Sequence, residues 1–263
     1  MRIVRFCVAG KTSYGVLVEN EVRRLRRDPF IQFGLFHKIS YFDSVSYRLD
    51  NVRLLAPCAP SKIVCLGLNY RSHIEEMGLT IPSVPLIFLK PSTAVVGPNE
   101  SIILPPGCRR VDYEGELAVI VGKKAKGVPV EEAAEYVLGY TCFNDVSDRE
   151  AQAIDGQWTR AKGYDTFAPI GPWIETDISP DDLKLETYVN GDLRQSASTK
   201  ELVFSVPELI SFISQIMTLL PGDVIATGTP EGVGPLRPGD IVQVKVEGIG
   251  VLTNPVVSSQ SPA

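Results

Sequence analysis

Two glutamates, Glu114 and Glu116, stand two residues apart at the start of the otherwise apolar run VDYEGELAVIVG, residues 111–122. On a β-strand such residues share a face. Two anions side by side, leading into Leu117, Ala118, Val119, Ile120 and Val121, repel each other and lose hydration unless a cation or donors compensate them. A hard divalent metal is the simplest compensation; an edge strand with both acids in water is the alternative. A third acid, Asp145, follows in the polar stretch NDVSDRE. Three carboxylates with water in the remaining positions make an all-oxygen site that Mg²⁺ or Mn²⁺ accepts, although Asp112, Asp148 and Glu150 offer the same chemistry nearby. His73 and Glu76 share a face if residues 71–77 are helical, and can then form an imidazole–carboxylate dyad. Lys162 lies in a Gly/Pro-rich loop and by itself reads as a surface lysine.

The elements that must position these groups are mostly short strands. Residues 2–8, 14–19 and 21–25 alternate as β-segments and form a small N-terminal β-rich subdomain, residues 1–57, closed by the turn-rich APCAP; residues 58–263 form the second unit. Residues 62–66 read as a buried strand, 71–77 as a short helix stopped by Gly78, and PLIFLK as a strand ending at Lys90. Pro129 opens an expected helix whose stripe is Val130, Ala133, Ala134, Val137 and Leu138, running into a strand that ends at Asp145. Asn190-Gly191 is a type I′ hairpin signal. Ser205 with Glu208 is a capping box for a helix through Leu220, with Leu209, Ile210, Ile213, Ile216, Met217 and Leu220 inward. Residues 258–263 read as a loose tail.

Composition narrows the function classes. A chain of 263 residues, 44% hydrophobic, buries one large core or one core and a small appendage. Its 22 Gly and 20 Pro between short Val/Ile/Leu-rich runs favour a β-rich fold. No apolar run approaches the roughly 20 residues of a membrane span, and MRIVRFCVAG lacks a signal peptide's long apolar segment, so a cytoplasmic protein without membrane association is expected. Five cysteines without a CxxC pair signal neither disulfides nor zinc and read as buried small hydrophobes. A net charge of -5 opposes nucleic-acid binding; Arg23, Arg24, Arg26 and Arg27 read as a solvated edge or an inter-subunit salt-bridge partner.

In this order and at these intervals, GLNYRSHIEEMG, PLIFLKPST, VDYEGELAVIVG, NDVSDRE, RAKGYDTFAPIGP, YVNGDLRQ and ATGTPEGVGP closely resemble the fumarylacetoacetate hydrolase family over residues 60–257. The first 57 residues resemble the N-terminal region of many bacterial members. The resemblance implies a β-rich α+β fold, a mixed β-sandwich roll with a few peripheral helices, and usually a homodimer. It puts Glu114, Glu116 and Asp145 on the family's Mg²⁺ or Mn²⁺ ligands and Lys162 on the lysine that contacts the substrate oxygen beside the metal. His73 and Glu76 fall on a dyad carried by a mobile lid; Arg149, Gln152 and Thr229 fall on positions lining the substrate's carboxylate and oxo end. Two departures are Ser147-Asp148-Arg149-Glu150, where many members read S-A-R-D, and Gly163-Tyr164, where a phenylalanine is usual at the second position.

The implied activity is metal-assisted enolate chemistry on a small 2-oxo or 2-hydroxy-dienoic (di)carboxylic acid. The expectation is an isomerase or decarboxylase of aromatic-acid catabolism, like the 2-hydroxyhepta-2,4-diene-1,7-dioate isomerases, with acylpyruvate hydrolysis or oxaloacetate decarboxylation next. A protein that binds metal and 2-oxo acid without turnover is the alternative of another class; intact His73, Glu76 and Lys162 argue against it.

Overall fold

The computed structural model describes residues 1–40 and 42–259. β-Branched and apolar runs build a twelve-stranded sheet whose main path is Phe42–Arg48, Glu21–Leu25, Lys11–Val18, Arg2–Val8, Ala168–Glu175, Val137–Asn144, Gly115–Val121, Val224–Ala226, Ile63–Gly67 and Leu86–Lys90. The N-terminal strands enter this sheet through Arg2 and Ile3, opposite Glu175 and Ile174. A five-stranded sheet runs Asp192–Ser198, Lys184–Val189, Ile241–Val246, Gly250–Ser258 and Ile102–Leu104, and a three-stranded one joins Ser147–Asp148, Val111–Tyr113 and Gly234–Pro235. The molecule is β-rich, with several sheets and few, short helices. No described helix is long and apolar enough to cross a membrane.

The strand Gly115–Val121 organises the core. Leu117, Val119 and Val121 pack into one cluster with Leu185, Leu209 and Val244, whereas Ala118 and Ile120 pack into another with Ile3, Ile63 and Ile174. Two buried faces make this a central strand, paired on both sides, and not the solvated edge of the alternative reading. The apolar run is also not one strand. It breaks at Glu114, with Val111–Tyr113 in the small sheet and Gly115–Val121 in the large one. Gly115 permits the crossing, because a Cβ there would lie 2.0 Å from the Thr187 hydroxyl.

Other expectations shift where sheet pairing captures the chain. Residues 130–136 form a 3₁₀ helix, and Val137 and Leu138 belong to the next strand, where Val137 pairs with Val121. The helix after the capping box is Val206–Ile216; Leu219 pairs with Ala125 in a two-residue bridge, which leaves Ile216 and Leu220 exposed. The hairpin turn has both Asn190 and Gly191 at positive φ, as a type I′ turn demands. Cys7 and Cys108 are half-buried, while Cys58, Cys65 and Cys142 are buried. Ser258 ends a strand, and the rest of the expected tail, residues 260–263, lies outside the described residues.

Candidate active site

The break at Glu114 assembles the site. Glu114 N–H donates to Asn144 Oδ1 at 3.0 Å, and Asp145 N–H donates to the Glu114 carbonyl at 2.8 Å. Asp145 is thereby fixed just past the end of the neighbouring strand, beside the two glutamates. Glu114, Glu116 and Asp145 each offer an oxygen within 4.8 Å of the others, and all three are buried. Among the described residues no second group of three His, Cys or acidic side chains converges in this way.

Two buried lysines answer part of this charge. Lys162 ends a one-turn helix, Thr159–Lys162, and its Nζ donates to Glu114 Oε2 at 2.8 Å and Asp145 Oδ2 at 2.7 Å. Lys90, the last residue of its strand, donates to Asp145 Oδ1 and to the Val146 carbonyl at 3.0 Å. Glu116 accepts from Gly228 N–H through Oε2 at 2.8 Å, while its buried Oε1 has no partner.

The two glutamates therefore behave differently. Burial works to raise the Glu114 carboxyl, but Lys162 and Arg149 overrule it and hold it far below the usual range. Burial, then repulsion from Asp145 and Glu114, pushes Glu116 well above that range. Burial works to lower Lys162, yet Asp145 and Glu114 raise it above an ordinary lysine. An acid destabilised by two neighbouring acids, with one oxygen bare, is suited to a hard cation, so the donor set fits a divalent ion.

The remaining expected residues lie around this centre. His73 and Glu76 sit on the helix Arg71–Glu76 with Nδ1 and Oε2 3.0 Å apart, and Glu76 Oε1 accepts from Gly232 N–H at 3.3 Å. Thr229 donates to the Gly115 carbonyl at 3.0 Å. Arg149 is engaged within the protein: Nε donates to Asp112 at 2.9 Å, Nη1 to Gln152 at 2.9 Å, and Nη2 lies 2.7 Å from Glu114 Oε1, out of line for a hydrogen bond. Asp148 caps the helix Arg149–Asp155, accepting from the Glu150 and Ala151 N–H groups, which accounts for the extra acid beside the site. Sequence reasoning assigned no role to Lys90, Asn69 or Gln195. Asn69 holds the Thr227 carbonyl at 2.8 Å under the 227–229 turn; Gln195 bridges Gly115 N–H and Thr229 Oγ1, both at 2.9 Å. A lysine ending the apolar strand PLIFLK was the one local signal.

Part of this site opens on a cavity of about 120 Å³. His73, Glu114, Gln152, Lys162 and Thr229 line its polar side, and Leu68, Met77, Phe88 and Trp158 its apolar side. Lys162 Nζ lies 5.0 Å from the Phe88 ring centroid, and the Phe88 and Trp158 rings meet edge-on at 5.0 Å. Larger surface grooves, of about 470 and 570 Å³, lie away from the buried acids.

Residues 62–257 match the family model "Fumarylacetoacetate (FAA) hydrolase C-terminal", and residues 1–57 match "Rv2993c-like, N-terminal". The chain belongs to the fumarylacetoacetate hydrolase family. A solved structure of this family, 2-hydroxyhepta-2,4-diene-1,7-dioate isomerase from Mycobacterium marinum, is 45% identical, with a TM-score of 0.91 over 99% of this chain and 100% of that one. Oxaloacetate tautomerase Fahd2a, mitochondrial, of Rattus norvegicus is 44% identical over 79% of this chain and 70% of its own length. Maleylpyruvate hydrolase from Sphingobium sp. SYK-6, solved with manganese (II) and pyruvate, is 34% identical with a TM-score of 0.82, over 99% of this chain and 100% of that one. The fumarylacetoacetate hydrolase family relatives of this chain thus include isomerases, tautomerases and hydrolases.

Proposed function

We propose that the protein is an Mg²⁺- or Mn²⁺-dependent enzyme that relocates a proton next to the carbonyl of a small 2-oxo or 2-hydroxy-dienoic acid, an isomerase or tautomerase reaction. The observation that carries this reading is the buried trio Glu114, Glu116 and Asp145, with Glu116 Oε1 bare, beside Lys162; Glu114 and Lys162 line a cavity that His73 also lines. These three carboxylates would hold the ion, which when bound acts as a Lewis acid on the substrate's carbonyl and carboxylate oxygens.

The chain's own groups divide the remaining work. The Lys162 ammonium stands where negative charge develops on the carbonyl oxygen and stabilises it. Glu76 is an acceptor, so it fixes the proton of His73 on Nδ1 and leaves Nε2 as the basic nitrogen. Nε2 can then take a proton from the carbon beside the carbonyl and return it elsewhere along the conjugated chain. Arg149, held by Asp112, orients Gln152 toward the cavity, and Thr229, held by Gly115 and Gln195, completes its polar lining. Leu68, Met77, Phe88 and Trp158 keep bulk water from the reacting carbon.

The isomerase and tautomerase relatives support this reading, and a 2-hydroxyhepta-2,4-diene-1,7-dioate-type acid is the proposed substrate. A second reading, C–C hydrolysis, is favoured by the maleylpyruvate hydrolase relative, because the same His73–Glu76 pair can activate a water. A panel of the dienedioate, oxaloacetate and acylpyruvates, followed by ultraviolet absorbance and product analysis with Mg²⁺ and with EDTA, separates the two. Double-bond migration or enol–keto conversion that EDTA abolishes is expected. Pyruvate release from acylpyruvates alone would establish the hydrolase, and no turnover of any of them would leave a binding protein.

A further inference from the structure

One oxygen of each acid of the trio meets a protein group other than Lys162. Lys90 Nζ holds Asp145 Oδ1, Gly228 N–H holds Glu116 Oε2, and Ser147 Oγ lies 3.2 Å from Glu114 Oε1. The oxygens left over are Asp145 Oδ2 and Glu114 Oε2, both bonded by Lys162, and the unpartnered Glu116 Oε1. We propose that Lys90 is a positioning residue which confines Asp145 to one ligand oxygen and thereby makes the site select a small six-coordinate ion over a larger one. This rests on the metal reading above and adds to it a residue and a selectivity.

Lys90 is 1% exposed and does not line the cavity, so it acts through Asp145 and not on a substrate. Its second bond, to the Val146 carbonyl, ties the ammonium to the backbone behind Asp145 and keeps it from swinging away. Three carboxylates giving one oxygen each leave half of an octahedron open, which suits Mg²⁺. Ca²⁺ takes six to eight oxygens and gains when a carboxylate offers two. A role in charge balance alone predicts something different: loss of the lysine's charge would strengthen every divalent ion alike. The Mg²⁺-to-Ca²⁺ affinity ratio isolates positioning from charge.

The test is calorimetric titration of Mg²⁺ and of Ca²⁺ into EDTA-stripped wild type, Lys90→Met, Asp145→Asn and the double variant, without substrate. Lys90→Met is expected to lower the Mg²⁺-to-Ca²⁺ ratio by about tenfold or more, the usual scale for groups that orient metal ligands. In the Asp145→Asn background, where one carbonyl oxygen alone can coordinate, the lysine substitution should leave the ratio unchanged. If Lys90→Met does not melt cooperatively in EDTA, Lys90→Gln takes its place, since its amide stops one bond short of the ammonium position. An unchanged ratio when Lys90→Met is made in the otherwise wild-type protein, or the same change with and without Asp145→Asn, overturns the proposal. Failure of the wild type to bind either ion instead overturns the metal reading, and the inference with it.

Discussion

Glu116→Gln should stabilise the protein without metal and destroy its response to metal. Glu116 is fully buried, and its Oε1 has no partner. Its two acidic neighbours offer oxygens within 4.8 Å. At that distance each contact between ionised neighbours costs about 3 kcal/mol at an effective dielectric of about 20, a cost that falls on Glu116 once it loses its proton. Lys162 offsets part of this, but its bonds go to Glu114 and Asp145. Glutamine keeps an oxygen for Gly228 N–H and turns an amide donor toward the neighbouring acids. Relieving one unsatisfied buried acceptor is worth about 1–3 kcal/mol, and each kcal/mol moves Tm by about 2–4 °C in a chain of this size. The gain should depend on pH. The folded-state pKa of Glu116 lies above its ordinary value of 4.5, so the folded protein holds a proton that the unfolded chain has released. Wild type therefore loses stability as pH rises from about 4.5 through the raised value, and the variant's advantage grows over that window. With Mg²⁺ at a hundred times its Kd, wild type gains about 2.7 kcal/mol by linkage; the variant, short of one anionic ligand, should gain far less. Melting curves from pH 5 to 9, with EDTA and with Mg²⁺, measure both arms. A variant less stable than wild type in EDTA at pH 8, or one that Mg²⁺ stabilises equally, would refute the argument.

Lys162→Met leaves Glu114 Oε2 and Asp145 Oδ2 facing each other without a cation, which should cost about 3–5 kcal/mol in urea unfolding with EDTA; Mg²⁺ should recover part of it, and an equal loss with and without metal would contradict the shared role of ion and lysine. His73→Gln and Glu76→Gln should each lower kcat by about 10²- to 10⁴-fold while leaving calorimetric Mg²⁺ affinity near wild type; wild-type turnover in either would remove the dyad from the mechanism. Gly67→Ala brings a Cβ to 2.8 Å from the Trp158 ring and 3.1 Å from Leu86, so the cavity wall must move and KM should rise, whereas an unchanged KM would show that this wall does not touch substrate. Ser205→Ala, remote from the acids, should cost about 1 kcal/mol with full activity retained. Its hydroxyl bond is the main cause that lowers the Glu208 carboxyl. That stabilisation is complete above the ordinary carboxylate pKa and fades as pH falls through the lowered one, so the gap between variant and wild type should narrow in acid, as melting at pH 7 and pH 3.5 would show.

What could be read in the sequence was the set of residues in conflict with their surroundings. Acids heading an apolar strand, and the polar NDVSDRE where a strand should end, both break local consistency, and such breaks mark sites. What could not be read depended on partners distant in sequence. Nothing within VDYEGELAVIVG shows that the chain changes sheets at Glu114, because the requirement comes from Thr187, against which Gly115 packs. Residues 130–138 carry a helical stripe, but Val137 is taken by its pairing with Val121. Arg149 resembled a group reaching for a substrate carboxylate, yet Asp112, buried and two residues ahead of Glu114, holds its Nε. Lys90 is the instructive case. A lysine closing an apolar strand is ordinary by itself, and its meaning arises only when Asp145 is brought to it by the pairing that also places Asn144 opposite Gly115. The same pairing sets Asp145 between two lysines, with Oδ1 on Lys90 and Oδ2 on Lys162, so the acid arrives with its orientation fixed from both sides.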